Sequence, residues 1–429
     1  MSKKINRRQA LKYGVGAGAG LLFLTNGGGA QTSPNEKLNI ACIGIGGQGR
    51  SNLNAMTSEN IVALCDVDNK RAGNAYTKFP KAKKFYDYRI MLEKMGSEID
   101  AVVISTPDHM HSHPAMMAMR MGKHLYCEKP MAHSISEIRM MTDIAKEKKL
   151  VTQLGVQRHT IDNVHRVVEI IQSGAIGEIR EVYSWFGGDR GMPVMPTKFP
   201  KVPAHLKWDL WLGVTKDRPY SPDYCPYNWR FWWDFGTGET GNWGCHVLDI
   251  PYWALKLGHA TKVSSSGPEI DAQRTPKSMF STYEFPSRGD LPPVKLHWNH
   301  TNQPMPFFKE NNIPQSGNNL FIGSKGMLLC DFKNRKLLPE KDFEGFKEPE
   351  KSIIDSPGFR KEWITACKGG KIATCNFDYT GPMAETVILG NTAFRAGGGF
   401  DWDPKTMQAT GRPSAEKYIR PEFRKGWEI

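Results

Sequence analysis

The chain has 429 residues, with 57 Lys+Arg against 44 Asp+Glu and a formal charge of +13. That length excludes a single small domain, and 39% hydrophobic with 10% aromatic residues excludes a disordered chain. The basic excess alone would suggest a nucleic-acid binder, but it is unevenly distributed.

Residues 1–30 carry Lys3, Lys4, Arg7, Arg8 and Lys12 and no acid. The apolar run 14–24 that follows is 11 residues long, short of the roughly 20 needed to span a bilayer. A basic start, a short apolar core and the small-residue end Gly28-Gly29-Ala30 predict a secretory signal peptide. Asn6-Arg7-Arg8-Gln9-Ala10-Leu11-Lys12 resembles the twin-arginine export signal, with Ala10 where Phe is common. A basic N-terminal helix is the alternative, and seven glycines between Gly14 and Gly29 count against it. The expected location is therefore the periplasm, with export in the folded state. No cysteine stands directly after the run, so no lipid anchor is expected. Without the signal the charge falls to +8, with no basic stripe, and no nucleic-acid partner is expected.

Eight cysteines, at 42, 65, 127, 225, 245, 330, 367 and 375, include no C-x-x-C pair. Zinc ribbons and thioredoxin-like redox chemistry are disfavoured. Cys42 and Cys65 read as buried thiols, and a chain with this much core needs no disulfide framework.

Residues 31–160 read as alternating strand and helix. Apolar runs at 38–44, 61–66, 101–105, 124–127 and 151–155 are separated by helix-length segments at 49–58, 87–95, 114–121 and 136–148. Ser134 with Glu137 three residues on signals a capping box. Such a pattern predicts a parallel sheet covered on both faces, an α/β Rossmann dinucleotide-binding domain. The first strand runs into Gly44-Ile45-Gly46-Gly47-Gln48-Gly49, a G-x-G-x-x-G with strand before and helix after. Its glycines permit a tight turn and close approach to a pyrophosphate, which then faces the helix N-terminus. Asp66 ends the second strand, 22 residues after Gly44. A carboxylate there accepts from ribose hydroxyls and repels a 2′-phosphate, which favours NAD over NADP despite Lys70 and Arg71 nearby.

Thr106-Pro107-Asp108-His109-Met110-His111 follows the third strand, and Glu128-Lys129-Pro130 ends the fourth. With the Gly44 loop, these motifs resemble the Gfo/Idh/MocA oxidoreductases (the glucose–fructose oxidoreductase and inositol dehydrogenase family). The resemblance runs from about residue 37 to the end, most clearly over 37–260. It implies that Lys129 is catalytic, beside the nicotinamide and the reacting hydroxyl, where a desolvated ammonium stabilises a developing alkoxide. Thr106, Pro107, His111, Glu128 and Gln157 become cofactor contacts with Gly44, Gly46, Gly47, Gln48, Gly49 and Asp66. Glu128 could pair with the cofactor or orient Lys129, and Arg158 would lie at the cofactor–substrate boundary. His109, His111 and His113 alternate and could share one face as metal ligands. Zinc sites usually recruit more separated ligands as well, and no metal is expected.

Residues 161–396 are expected to form an α+β substrate and oligomerisation domain, with helices at 163–173 and 383–396. The family implies a mostly antiparallel open sheet, through which relatives commonly pair as homo-oligomers. Strand-like runs at 177–185, 261–266, 279–285, 294–300 and 320–330 agree with it. Residues 331–360 read as loop, and the tail 397–429 as packing on the body. The stretch 227–236 holds Tyr227, Trp229, Phe231, Trp232, Trp233 and Phe235 after Trp208 and Trp211. Most of these read as core, and Trp232 is taken as a sugar platform. Gly241-Asn242-Trp243-Gly244-Cys245-His246-Val247-Leu248-Asp249 matches the family's D-x-G-x-H-x-x-D except at Asn242. Four apart on a helix, Asn242 and His246 share a face. His246 can act as general acid/base. Asn242 can hold a hydroxyl but cannot carry a proton. Asp249 could orient His246, contact substrate or simply form a salt bridge.

The resemblance implies an NAD(P)-dependent oxidoreductase acting on a sugar, glycoside or polyol hydroxyl. A periplasm without free NAD implies a tightly bound, recycled cofactor. C3 oxidation to a 3-keto sugar and redox-neutral glycoside cleavage both suit such a cycle. A sugar-binding protein without turnover is the reading from another class.

Overall fold

A computed structural model describes residues 36–428; the predicted export signal lies outside the described residues. Within them, six strands form a parallel sheet. They are β1 (Asn39–Ile43), β2 (Asn60–Cys65), β3 (Lys83–Phe85), β4 (Ala101–Ile104), β5 (His124–Glu128) and β6 (Thr152–Gly155), ordered β3-β2-β1-β4-β5-β6. Every residue of β4 is buried, because helices cover both faces. Those helices are α1 (Gln48–Ala55), α2 (Asn69–Lys78), α3 (Tyr88–Met95), α4 (Ser112–Arg120) and α5 (Ile135–Glu147). Asp68 caps α2 and Asp87 caps α3, while Ser134 and Glu137 form the expected capping box on α5. Strand order reverses between β1 and β4, so a crevice opens at their C-terminal ends, where the glycine loop leaves β1.

The α2 and β3 segments were not legible beforehand. The Lys83-Lys84-Phe85 strand is short and polar, and α2 buries only Ala72 and Ala75.

The second sheet has nine described strands: β7 (Ile179–Phe186), β8 (Lys262–Ser266), β9 (Met279–Phe285), β10 (Val294–His300), β11 (Asn319–Gly323), β12 (Gly326–Cys330), β13 (Arg335–Leu338), β14 (Phe400–Asp403) and β15 (Gln408–Thr410). Their order is β13-β12-β11-β7-β10-β9-β8-β14-β15, antiparallel except for the β7–β10 pair. Three expectations are corrected here. The run 320–330 is a hairpin that turns at Ser324 and Lys325. The supposed loop 331–360 contains β13. The tail does not only pack on the body, because β14 and β15 extend the sheet edge. Its last residues do pack there: His113 Nε2 lies 2.8 Å from the Trp427 carbonyl, and Arg89 covers the Trp427 ring at 4.2 Å.

Helix α6 (Asp162–Gln172) buries Val164, Val167, Val168 and Ile171, as their spacing predicts. After it come α7 (Phe359–Cys367) and the long α8 (Phe377–Arg395). The α8 helix packs on α5 of the first domain and on β8 of the second, so one hydrophobic core joins both sheets. The cysteines are free and buried, and burial pushes the Cys42 and Cys245 thiols up to about 12. No described helix is long and apolar enough to cross a membrane.

Candidate active site

The glycine loop is shaped by contacts only hydrogen can make. Gly44 ends β1 at φ 74°, and a Cβ there would sit 2.7 Å from the Ser105 carbonyl oxygen. A Cβ on Gly49 would lie 1.8 Å from the Gly44 carbonyl oxygen, so Gly49 sets how α1 seats on the loop and does not line the cleft. Gly47 is the N-cap of α1 with no side-chain cap, which leaves the first N–H groups of the helix for an outside acceptor. The Arg71 guanidinium stands beside Gly46 and Gly47. Asp66 accepts from Ile45 N–H at 2.8 Å and Asp68 N–H at 2.9 Å; burial raises its pKa, and these hydrogen bonds oppose the rise.

A cavity of about 970 Å³ runs from this loop to Lys129 and His246. Gly44, Gly46, Gly47, Gln48 and Asp66 line one end, and Thr106, Pro107, His111, Glu128 and Gln157 continue the wall. These residues fit a dinucleotide. The glycines, the N-terminus of α1 and Arg71 would hold the pyrophosphate, Asp66 a ribose, and Thr106, Pro107, His111 and Gln157 the nicotinamide end. Glu128 is held from three sides: Asn52 donates to its Oε1 at 2.9 Å, Gln157 at 2.7 Å and Gln48 at 3.5 Å.

Lys129 projects from the end of β5 to the second domain. Its Nζ donates to Asn242 Oδ1 at 2.8 Å and to the Asn242 carbonyl at 3.0 Å. Asn242 Nδ2 in turn donates to Glu239 Oε2 at 3.2 Å, and the buried Glu239 pairs through Oε1 with Arg190 Nε at 2.5 Å. The amide is therefore oriented from both sides. A π-helical turn, Thr240–Gly244, precedes the short helix Cys245–Val247, and both Asn242 and His246 line the cavity. His246 Nδ1 is buried without a partner. Burial, then the charges of Lys129 and Arg158, hold His246 well below its usual range, so the ring is neutral. Burial, then the charge of Arg230, lowers Lys129.

Besides Gly49, two expected site residues lie elsewhere. Asp249 does not reach His246: it pairs with His159 Nδ1 at 2.9 Å and accepts from the Tyr379 hydroxyl at 2.7 Å, buried behind the cleft. Trp232 has no exposed surface; it packs among Tyr224, Phe235 and Leu206 and donates to the Asp223 carbonyl. As core it cannot meet a sugar. The rings that do line the cavity include Trp229 and Trp243, the latter stacked on Phe186 at 4.3 Å. Arg158 lines it too, over the Trp243 and Phe332 rings at 5.0 and 4.5 Å. Sequence reasoning missed Trp243, Glu239 and Arg230, although all three lie within motifs it singled out or beside them.

The alternating histidines diverge. His109 meets the Phe235 and Trp211 carbonyls, His111 those of Pro130 and Thr106, and His113 that of Trp427. His159, Asp249 and Cys375 bring their ligand atoms within 4.8 Å of one another. In that group Asp249 is already engaged by His159 and Tyr379.

Fold and cleft together define a two-domain dinucleotide-binding protein. Residues 38–156 match the family model described as "Oxidoreductase family, NAD-binding Rossmann fold", and residues 182–284 match the one described as "Oxidoreductase family, C-terminal alpha/beta domain". The chain belongs to the Gfo/Idh/MocA oxidoreductase family. It is 27% identical over 227 residues to a levoglucosan dehydrogenase from Pseudarthrobacter phenanthrenivorans, covering 50% of each chain. It is 30% identical over 202 residues to a glycosyl hydrolase family 109 protein from Solibacter usitatus, covering 41% of this chain and 44% of that one. The chain thus spans about half the length of these curated relatives. The WlbA dehydrogenase from Bordetella pertussis, solved with NADH and UDP-GlcNAcA, shares the fold at a TM-score of 0.61 and 16% identity. That match covers 86% of this chain and 99% of WlbA.

Proposed function

We propose that this chain is an exported NAD-dependent oxidoreductase acting on a hydroxyl of a sugar, glycoside or polyol, with a tightly held cofactor regenerated in each cycle. The observation that carries the reading is Lys129. It is a desolvated ammonium at the inner end of the nucleotide cleft, held by Asn242 from the other domain, with neutral His246 on the same cavity. Bound NAD would supply the hydride acceptor and then, as NADH, the donor to the carbonyl of a second carbohydrate, which closes the cycle. Lys129 gives two of its three N–H bonds to Asn242, and the third is free to meet the substrate oxygen and stabilise alkoxide charge. His246 takes the hydroxyl proton. Asn242 positions the lysine and the hydroxyl and transfers no proton.

Export rests on the twin-arginine-like residues 6–12. A tightly held cofactor follows from it, because the periplasm offers no pool to exchange with. The match to the family 109 glycosyl hydrolase favours a second reading, redox-neutral glycosidase action. There, oxidation at C3 acidifies the C2–H, and loss of that proton expels the aglycone from C1. Water adds at C1 across the double bond so formed while a proton returns to C2, and the C3 carbonyl is reduced again. One experiment tests both readings. The purified protein is denatured to release and identify its dinucleotide, and glycosides are then screened at 340 nm and for 3-keto products. A 3-keto sugar supports the oxidoreductase. A released aglycone with no net absorbance change supports the glycosidase. Free exchange of NAD in buffer contradicts the closed cycle. A 340 nm signal that no carbohydrate moves, with no aglycone released, contradicts both. Pairing through the second sheet is proposed for the homo-oligomer; light scattering would test it, a monomer contradicting it.

A further inference from the structure

The carboxylates of the cleft all lie on one wall, and the opposite wall carries guanidinium groups without a carboxylate. The carboxylates lining the cavity, Asp66, Asp68, Asp87, Asp108 and Glu128, all belong to the nucleotide domain. The second-domain wall presents Arg190 and Arg230 and, among the described residues, no acid. Arg190 is neutralised by Glu239. Arg230 is not: among the described residues its side chain has no ion pair or hydrogen bond, and its Nε is buried without a partner. Arg158 is likewise without ion pair or hydrogen bond among the described residues, at the junction of the two domains. Burial lowers its pKa, and no carboxylate offsets that cost.

Both guanidiniums are held by rings. Arg230 lies over Trp229 at 4.4 Å, and Arg158 over Trp243 and Phe332. A ring covers the face of a guanidinium and leaves its N–H edge free, the edge that binds a carboxylate or a sulfate in two-point fashion. Their charges also reach the reaction centre, Arg230 acting on Lys129 and Arg158 on His246. The pyrophosphate does not explain them, because Arg71 and the α1 N-terminus serve that end of the cavity. Two unpaired guanidiniums on one cavity, Arg230 acting on Lys129 and Arg158 on His246, offer an anion its counter-charge there.

We infer that the substrate is an acidic carbohydrate, a sugar bearing a carboxylate or a sulfate ester, whose anionic group is bound by Arg158 and Arg230. This rests on the carbohydrate reading of the cleft given above. The test measures binding of three probes to the purified, cofactor-loaded protein by calorimetry: methyl β-D-glucuronide, glucose 6-sulfate and methyl β-D-glucoside. Absorbance at 340 nm is followed in parallel. At least one acidic probe is expected to bind about tenfold more tightly than the neutral glucoside. Which acidic probe does so separates carboxylate from sulfate. In Arg158→Gln and Arg230→Gln that acidic-to-neutral ratio is expected to fall toward one. The ratio is read within each variant, so a general loss of folding does not imitate the result. Acidic probes that bind no more tightly than the glucoside overturn the inference, as does a ratio unchanged in both variants. A neutral glucoside that alone moves the 340 nm signal overturns it while sparing the oxidoreductase reading. Preferential acidic binding with a flat 340 nm signal supports it and counts against that reading.

Discussion

The nucleotide end of the cleft is made chiefly of backbone, whereas the substrate end is made of side chains from scattered elements. At the first end, Gly44 and Gly49 fix the loop through contacts that exclude a Cβ, and the N-terminus of α1 faces whatever lies beyond Gly47. At the second, Lys129, Arg158, Arg230, Asn242, Trp243 and His246 converge from four stretches of chain on both domains. The difference separates what each end can tolerate. A backbone cradle holds one group, shared by every nucleotide of its kind. A side-chain wall can be altered one residue at a time, and it is where this chain departs from its family pattern, at Asn242.

The largest expected effect breaks the backbone half. Gly49→Ala places a methyl 1.8 Å from the Gly44 carbonyl oxygen. NAD binding should be abolished, and stability should fall by about 3 kcal/mol; fluorescence titration and thermal melting read the two effects. On the side-chain half, His246→Ala should lower kcat roughly 100- to 1,000-fold while the cofactor still binds. The pH profile carries the sign. His246 is held well below its ordinary value, so the neutral, proton-accepting ring is present from mildly acidic pH upward. The wild-type rate should therefore lose His246 only below the usual histidine range, and the acid limb it causes should vanish in the variant.

A smaller effect is expected at the departure from the family. Asn242→Asp sets a carboxylate 3.2 Å from that of Glu239, and repulsion should pull it off Lys129, lowering kcat about tenfold. Adding Glu239→Gln supplies an amide donor in place of the opposing charge and should restore most of the rate. A double variant no better than Asn242→Asp alone would separate Glu239 from the site. The smallest effect on the reaction is expected among the tryptophans. Trp243→Ala should raise KM several-fold with a modest loss of stability. Trp232→Ala should leave KM unchanged and cost about 4 kcal/mol of stability, because its indole is wholly buried.

The same division decides what could be read in the sequence. The parallel sheet, the glycine turn and the capping box at Ser134 are local patterns, and they are found within a residue or two of their expected places. The strands that escaped notice, β3, β13, β14 and β15, are only three or four residues long; β3, β13 and β15 bury no residue fully, and β14 buries only Phe400 and Trp402, too short an alternation to stand out. The site residues that moved did so because partners are far apart in the chain. Asp249 belongs to His159, 90 residues away, rather than to His246 three residues away. Trp232 and Trp243 are the same residue type in neighbouring aromatic motifs. Only the packing of 206–235 into its own cluster sends one inward and leaves the other on the cleft. Asn242 was legible as a departure, but the Glu239–Arg190 pair behind it requires the π-helical turn to be seen.

The central claim is that Lys129 handles the reacting hydroxyl at the inner end of an NAD cleft. The most direct test is a single-turnover measurement at 340 nm, mixing NAD-loaded protein with a carbohydrate panel, for the wild type and Lys129→Met. The account predicts a rapid rise in absorbance with at least one sugar in the wild type. In Lys129→Met that rise should slow about 1,000-fold while NAD affinity is retained. An equal rate in both proteins, or no rise with any sugar in the wild type, would contradict it.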